Sequence, residues 1–115
     1  MKKAVLFAFR DDFMCFIHVL LNALDMKSKG YEVGIVMEGA SVTLVSKLAE
    51  PGNPMTALYK KAREQELFYG ACKACSVKLG ALDSINAEGL KLIGDMSGHA
   101  GMSGYMDAGY EVITF

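Results

Sequence analysis

The stretch GACKACSVKLG, residues 70 to 80, carries Cys72 and Cys75 three positions apart. Such a pair could be a metal clip, a dithiol couple or a sulfur carrier, and two small buried residues are the inert alternative. Cys72 directly follows a short apolar run and stands in the first turn of the next helix. Unpaired amides and the helix dipole there favour a thiolate. Lys73 and Lys78 add positive charge, although on an exposed helix they also read as a solvated face. At i, i+3 spacing Cys75 reaches Cys72 as a resolving thiol would, or else points into the core. A zinc site would draw on Cys72, Cys75, Cys15 and His99, but a second Cys-x-x-Cys is missing and Cys15 and His99 come from separate loops. No metal is assigned on that spacing.

The stretch GDMSGH, residues 94 to 99, is the second place where chemistry could sit. A glycine-rich turn after a strand, opening a short helix, offers backbone amides to an anion such as a sulfur oxyanion or a persulfide. It is neither a Walker nor a dinucleotide fingerprint. Asp95, Ser97 and His99 suggest a hydrolytic triad, yet they share one short loop and the nucleophile elbow is absent. The plainer reading is a turn whose Asp95 caps the following helix. His18 lies inside an apolar helix, where a hydrogen-bonded core histidine is expected.

These residues need a scaffold, and the chain spells one out. AVLFAF (4–9) is a short continuous apolar run bounded by charge, the pattern of a strand buried on both faces. DDFMCFIHVLLNALDMKSKG (11–30) opens on an aspartate able to cap, is apolar on more than one face, and stops at lysines and Gly30, so a long buried helix is expected. YEVGIVMEG (31–39) reads as the second strand, and SVTLVSKLAE with PMTALYKKAREQE as a helix broken by the proline loop at 50–54. LFYGA (67–71) is the third strand, CSVKLGALDSINAEG (75–89) one or two short helices, LKLIGD (90–95) the fourth strand. GMSGYMDAG (101–109) is a short helix and YEVITF (110–115) a closing strand.

Strands alternating with helices must be parallel, with right-handed crossovers. The expected object is a single α/β domain over residues 1–115: a three-layer α/β/α sandwich with a roughly five-stranded, mainly parallel sheet, of flavodoxin or Rossmann kind. Ligands in such sheets bind beyond the carboxyl ends of the strands, near a switch in strand order. That edge collects Arg10, Asp11, Asp12 and Cys15 after the first strand and Glu38 with Gly39 after the second. Cys72 and Cys75 follow the third, and Asp95, Ser97, Gly98 and His99 the fourth.

With 115 residues, 52% hydrophobic and 22% charged, the chain has enough apolar matter for one core. A net charge of −1 with no basic stripe gives nucleic acid nothing to hold. MKKAVLFAF imitates a secretory leader, but its apolar run ends at Arg10, and the next apolar stretch carries His18 and Asn22, so neither a signal peptide nor a membrane span is expected. A reducing, cytoplasmic setting follows, in which 3 cysteines, an odd number, mean free thiols, metal ligation or redox chemistry. Met96, Met102 and Met106 with Tyr105, and the apolar final strand, point to core or subunit contact, so a homo-oligomer is expected.

The opening MKKAVLFAF, the long first helix, YEVGIVMEGA, the cysteine ending the third strand with glycine eight residues on (Cys72 and Gly80), and the closing YEVITF resemble the DsrE-like family, the small α/β proteins of the DsrE/TusD/YchN type. The resemblance spans essentially the whole chain. It implies sulfur handling, in which a cysteine at the position of Cys72 accepts sulfane sulfur as a persulfide and passes it to a protein partner. It further implies no obligatory metal or organic cofactor, and assembly as homo- or hetero-oligomers, often trimers or hexamers. Cys75 lies outside the relay pattern. Cys75 or Cys15, if close enough, would release the sulfur as sulfide by forming a disulfide. Two other readings compete: a non-catalytic module whose rim holds a small anion or a metal, and a dithiol redox protein using Cys72 and Cys75. The second lacks the tryptophan, the cis-proline context and the strand order of a thioredoxin.

Overall fold

The structure, a computed structural model, describes residues 1–115. Five strands form one sheet: β1 (Lys3–Ala8), β2 (Glu32–Met37), β3 (Phe68–Cys72), β4 (Leu92–Ile93) and β5 (Glu111–Thr114), in the order β4-β3-β2-β1-β5 and parallel throughout. Between them run α1 (Phe13–Ser28), a 3-10 segment (Gly39–Leu44), α2 (Val45–Leu48), α3 (Thr56–Glu64), α4 (Lys73–Lys78), α5 (Leu82–Ala87) and α6 (Ser103–Asp107).

Strand order fixes the layers. Each step from β1 to β2, β3 and β4 moves the same way across the sheet, so right-handed crossovers stack α1 to α5 on one face. Only the return from β4 to β5 runs backwards, and it leaves α6 on the other. The two faces are accordingly unequal. Ala4, Leu6, Ala8, Val33, Ile35 and Met37 point into a core of 21 buried residues shared with α1, α2, α3 and α5. Val5, Phe7, Val36 and Cys72 point the other way, into a cluster of 5 buried residues that Ala100 completes.

α1 starts where the Asp12 carboxylate accepts the Met14 amide at 2.8 Å. Its buried stripe is Phe16, Val19, Leu20 and Ala23; full burial of a phenylalanine, valine or leucine contributes about 1.5–3 kcal/mol. Apolar residues on its other side stay in water: Met14 and Leu21 are exposed, and so is His18, which is therefore a surface residue and not a core histidine. The segment expected as helix 41–50 starts as a tight 3-10 segment, where Ser41 donates its hydroxyl back to the carbonyls of Ala8 and Glu38, and is α-helix only over Val45–Leu48. The fourth strand shrinks to two residues at the sheet edge.

One irregularity governs the site. Ile35 pairs with Phe68 but Val36 pairs with Gly70, so Tyr69 is an extra residue in β3. Without it, strict alternation would turn Cys72 to the same face as Phe68. With it, Phe68 and Ala71 join the helix-covered core while Tyr69 and Cys72 share the thin face. Gly34 on β2 makes room for the displaced ring, which lies where a Cβ would be, 2.2 Å from Tyr69 Cε2.

Candidate functional site: two thiols and a histidine

Cys72 ends β3 and caps α4 with extended backbone (φ −60°, ψ 122°), its own carbonyl accepting the Ser76 hydroxyl at 2.6 Å. That bond locks the strand-to-helix corner. One turn later Cys75 comes round to the same side. The third member arrives from 24 residues further on. His99 Nδ1 lies 3.4 Å from Cys72 Sγ and 3.7 Å from Cys75 Sγ. All three atoms fall within 4.8 Å of one another.

A small hairpin delivers His99. Met96 and His99 exchange both backbone hydrogen bonds at 2.9 Å around Ser97 (φ 51°) and Gly98 (φ 88°), two left-handed residues that make a type I′ reversal. The hairpin is pinned at two points: the Ala74 amide of α4 donates to the Gly98 carbonyl at 2.8 Å, and Asp95 Oδ1 accepts the Gly101 amide at 3.0 Å. The loop thus does not open directly into a helix. Asp95 clasps its own loop shut and does not cap α6, whose cap position is Met102.

Glu38 supplies the remaining charge. It is 6% exposed at the end of β2. Burial pushes its acidity up the pH scale, against the opposing attraction of His99. The Cys75 thiol is raised as well, first by burial and then by its hydrogen bond with Cys72. Cys72 itself is 0% exposed, Cys75 is half-buried and His99 is exposed, which gives the cluster an inner sulfur, an outer sulfur and a lid.

Of the residues expected on this rim, Cys72, Cys75, His99 and Glu38 come together, while Asp95, Ser97 and Gly98 build the hairpin. Cys15, on the first turn of α1, lies outside the cluster, and Arg10 and Asp11 are exposed after β1 and make none of its hydrogen bonds. The cluster therefore occupies the carboxyl ends of β2, β3 and β4 and not the β1–β5 reversal in strand order. The sequence offered Tyr105 as core or subunit contact and gave no sign of Tyr69 and Tyr110. Tyr69 and Tyr105 stack at 5.9 Å, both meet Tyr110 edge-on, and with Ile93 and Asp95 the three line an open cleft of about 660 Å³ beside the hairpin. Their spacing at 69, 105 and 110 signals nothing until the sheet brings them together.

The sequence pattern of the DsrE/DsrF-like family matches residues 3–115. The chain belongs to that family. Among its relatives is an uncharacterised protein of Methanocaldococcus jannaschii, 32% identical over 97 residues, which are 84% of this chain and 77% of that one. Another uncharacterised protein, from Archaeoglobus fulgidus, is 36% identical over 59 residues, 51% of this chain and 95% of its own length. A conserved protein of unknown function from Bacteroides thetaiotaomicron has the same fold, with a TM-score of 0.75, 19% identity, and coverage of 99% of this chain and 95% of the other. Membership of the DsrE/DsrF-like family agrees with the parallel sheet. No helix of the chain is long and apolar enough to cross a membrane.

Proposed function

We propose that this DsrE/DsrF-like protein is a sulfur-relay protein that accepts sulfane sulfur as a persulfide on Cys72 and hands it to a partner thiol. The observation that carries the reading is the juxtaposition of Cys72 with His99 and Cys75 in a chain of this family. His99 Nδ1 is placed to take the Cys72 proton, which leaves the thiolate that sulfur transfer requires. That thiolate attacks the outer sulfur of a donor persulfide R–S–SH. A new Cys72 S–S bond forms, the donor S–S bond breaks, and RS⁻ departs with the proton from His99. The acceptor's thiolate then repeats the attack on the outer sulfur of Cys72 and restores the free thiol.

The enclosure of Cys72 suits a carrier, since a persulfide sealed from water and stray thiols keeps its sulfur until the hairpin opens. Cys75 offers a second exit. Its thiolate can attack Cys72 Sγ, forming the disulfide and expelling HS⁻, after which a dithiol reductant must restore the pair. Assembly belongs to the same proposal: Met14 and Leu21 on α1 and Val77 on α4 are exposed apolar residues that a second copy of the chain would cover.

The test is mass spectrometry of unreduced protein before and after a persulfide donor. Addition of one sulfur atom, reversed by reductant, abolished by Cys72→Ser and prolonged by Cys75→Ser, is the expected result; native mass gives the assembly. Sulfur that adds equally to Cys72→Ser refutes the assignment.

A further inference from the structure

We infer that Cys72, Cys75 and His99 also form a three-ligand site for a borderline-soft divalent cation, zinc being the fitting one. The first argument is spacing. With Zn–S near 2.3 Å and Zn–N near 2.0–2.1 Å at a tetrahedral angle, a sulfur and a nitrogen on one ion lie about 3.5–3.6 Å apart. His99 Nδ1 stands at 3.4 Å and 3.7 Å from the two sulfurs, on either side of that value.

The second argument is valence. An imidazole Nδ1 has a single in-plane direction, holding either one proton or one lone pair. It serves one sulfur well by hydrogen bonding and the other poorly, whereas a cation at the centre of the triangle engages all three atoms. Charge agrees: two thiolates and a neutral imidazole around a divalent ion sum to zero, which suits a sulfur as enclosed as that of Cys72. The donor set, two thiolates and one imidazole, is a zinc set, and it leaves a fourth position open on the exposed side of His99.

The supports are rigid. Ser76 fixes the Cys72 corner, and the hairpin pinned to Ala74 and closed by Asp95 orients His99. Binding one Zn²⁺ releases the thiol protons to solvent and engages one lone pair of each thiolate. The zinc-loaded chain is therefore refractory to sulfur transfer, and the cation acts as a reversible stopper on the same thiols.

The test is titration of reduced, metal-free full chain with Co²⁺ followed by Zn²⁺. Expected are one ion per chain, an intense thiolate-to-cobalt band with the visible absorption of a tetrahedral centre, and bleaching as zinc displaces cobalt. Cys75→Ser and His99→Ala should each weaken binding by more than ~100-fold, beyond the 10–100-fold typical of a supporting contact. Cys15→Ser should leave it unchanged, and His99→Cys, which keeps three ligands, should restore it. These variants alter exposed or half-buried positions, so circular dichroism separates lost binding from lost folding. Absence of the cobalt band, or uptake that survives both Cys75→Ser and His99→Ala, overturns the site. Sulfur uptake is measured separately in metal-free protein with chelator present, so the relay and the metal site fail or stand independently.

Discussion

Replacing Gly34 with alanine tests the packing that aims Cys72. A Cβ on Gly34 would meet Tyr69 at 2.2 Å from Cε2 and 2.3 Å from Cδ2 and Cζ. Carbon atoms in ordinary contact stand about 3.5–4.0 Å apart, so the ring would have to withdraw by at least ~1.3 Å. It is not free to do so. The Tyr69 hydroxyl lies 3.1 Å from that of Tyr110, and the ring stacks on Tyr105 with an interplanar angle of 9°. Overpacking of this kind costs about 1–3 kcal/mol, and each of the two disturbed aromatic pairs about 0.5–1.5 kcal/mol more, so Gly34→Ala should lose about 2–6 kcal/mol. At an unfolding entropy of about 2.1 cal/mol/K per residue, a chain of this length loses ~4 °C of Tm per kcal/mol, hence a drop of about 8–24 °C. Thermal unfolding followed by circular dichroism measures it. Gly104→Ala, on α6 where a Cβ meets nothing within 4 Å, is the control and should shift stability by less than ~1 kcal/mol. The decisive arm is Gly34→Ala in a Tyr69→Ala background. With the ring gone the penalty must vanish, and an equal penalty in both backgrounds refutes the argument.

The raised acidity constant of Cys75 predicts a pH dependence of stability. A thiol whose folded value lies above its unfolded one contributes stability that is fully present below the ordinary thiol pKa and is lost as pH rises through the folded value. Urea midpoints measured between pH ~8 and ~10.5 should thus fall more steeply for the parent than for Cys75→Ser, and identical slopes would count against the assignment. Asp95→Ala removes the bond to the Gly101 amide at 3.0 Å and should cost about 1–2 kcal/mol. It should also speed alkylation of Cys72 by iodoacetamide, because the hairpin over it loosens. Unchanged alkylation in folded Asp95→Ala would show that the hairpin does not guard the sulfur.

The scaffold could be read from the chain because apolar runs such as AVLFAF can only be strands buried on both faces, and the alternation with helices leaves one class of sheet. Residues gathered at the carboxyl edge could be read for the same reason. The contacts among them could not. Cys72 and His99 are 27 positions apart, and nothing in either segment states that a two-residue reversal at Ser97 and Gly98 turns the imidazole towards the sulfurs. GDMSGH looks equally like the mouth of a helix, and Asp95 equally like its cap. His18 misled because the helix around it is apolar on two sides while only one of them packs on the sheet. The extra residue at Tyr69 is invisible locally, since it is defined by pairing with β2, and yet it decides which way Cys72 faces.

That last point ties topology to chemistry. A cysteine at the end of β3 facing the helix-covered side would be shut behind five helices, reachable only by global unfolding. Turned by the bulge to the thin side, the same sulfur packs in the smaller cluster of 5 buried residues, beside the loop Gly94 to Ala100. Opening that loop breaks the Ala74–Gly98 and Asp95–Gly101 hydrogen bonds, the His99 contacts to the sulfurs and the packing of Ala100, none of which belongs to the 21-residue core, so it draws on the lower part of the range of local stabilities. The strand order β4-β3-β2-β1-β5 therefore does more than support the site. By sending all but the last crossover to one face, it leaves the other covered by elements small enough to move, and that is where the bulge places the thiol. In the proposed relay, a sulfur sealed between transfers and exposed during them would need this combination of a buried position and a loop opened by local motion.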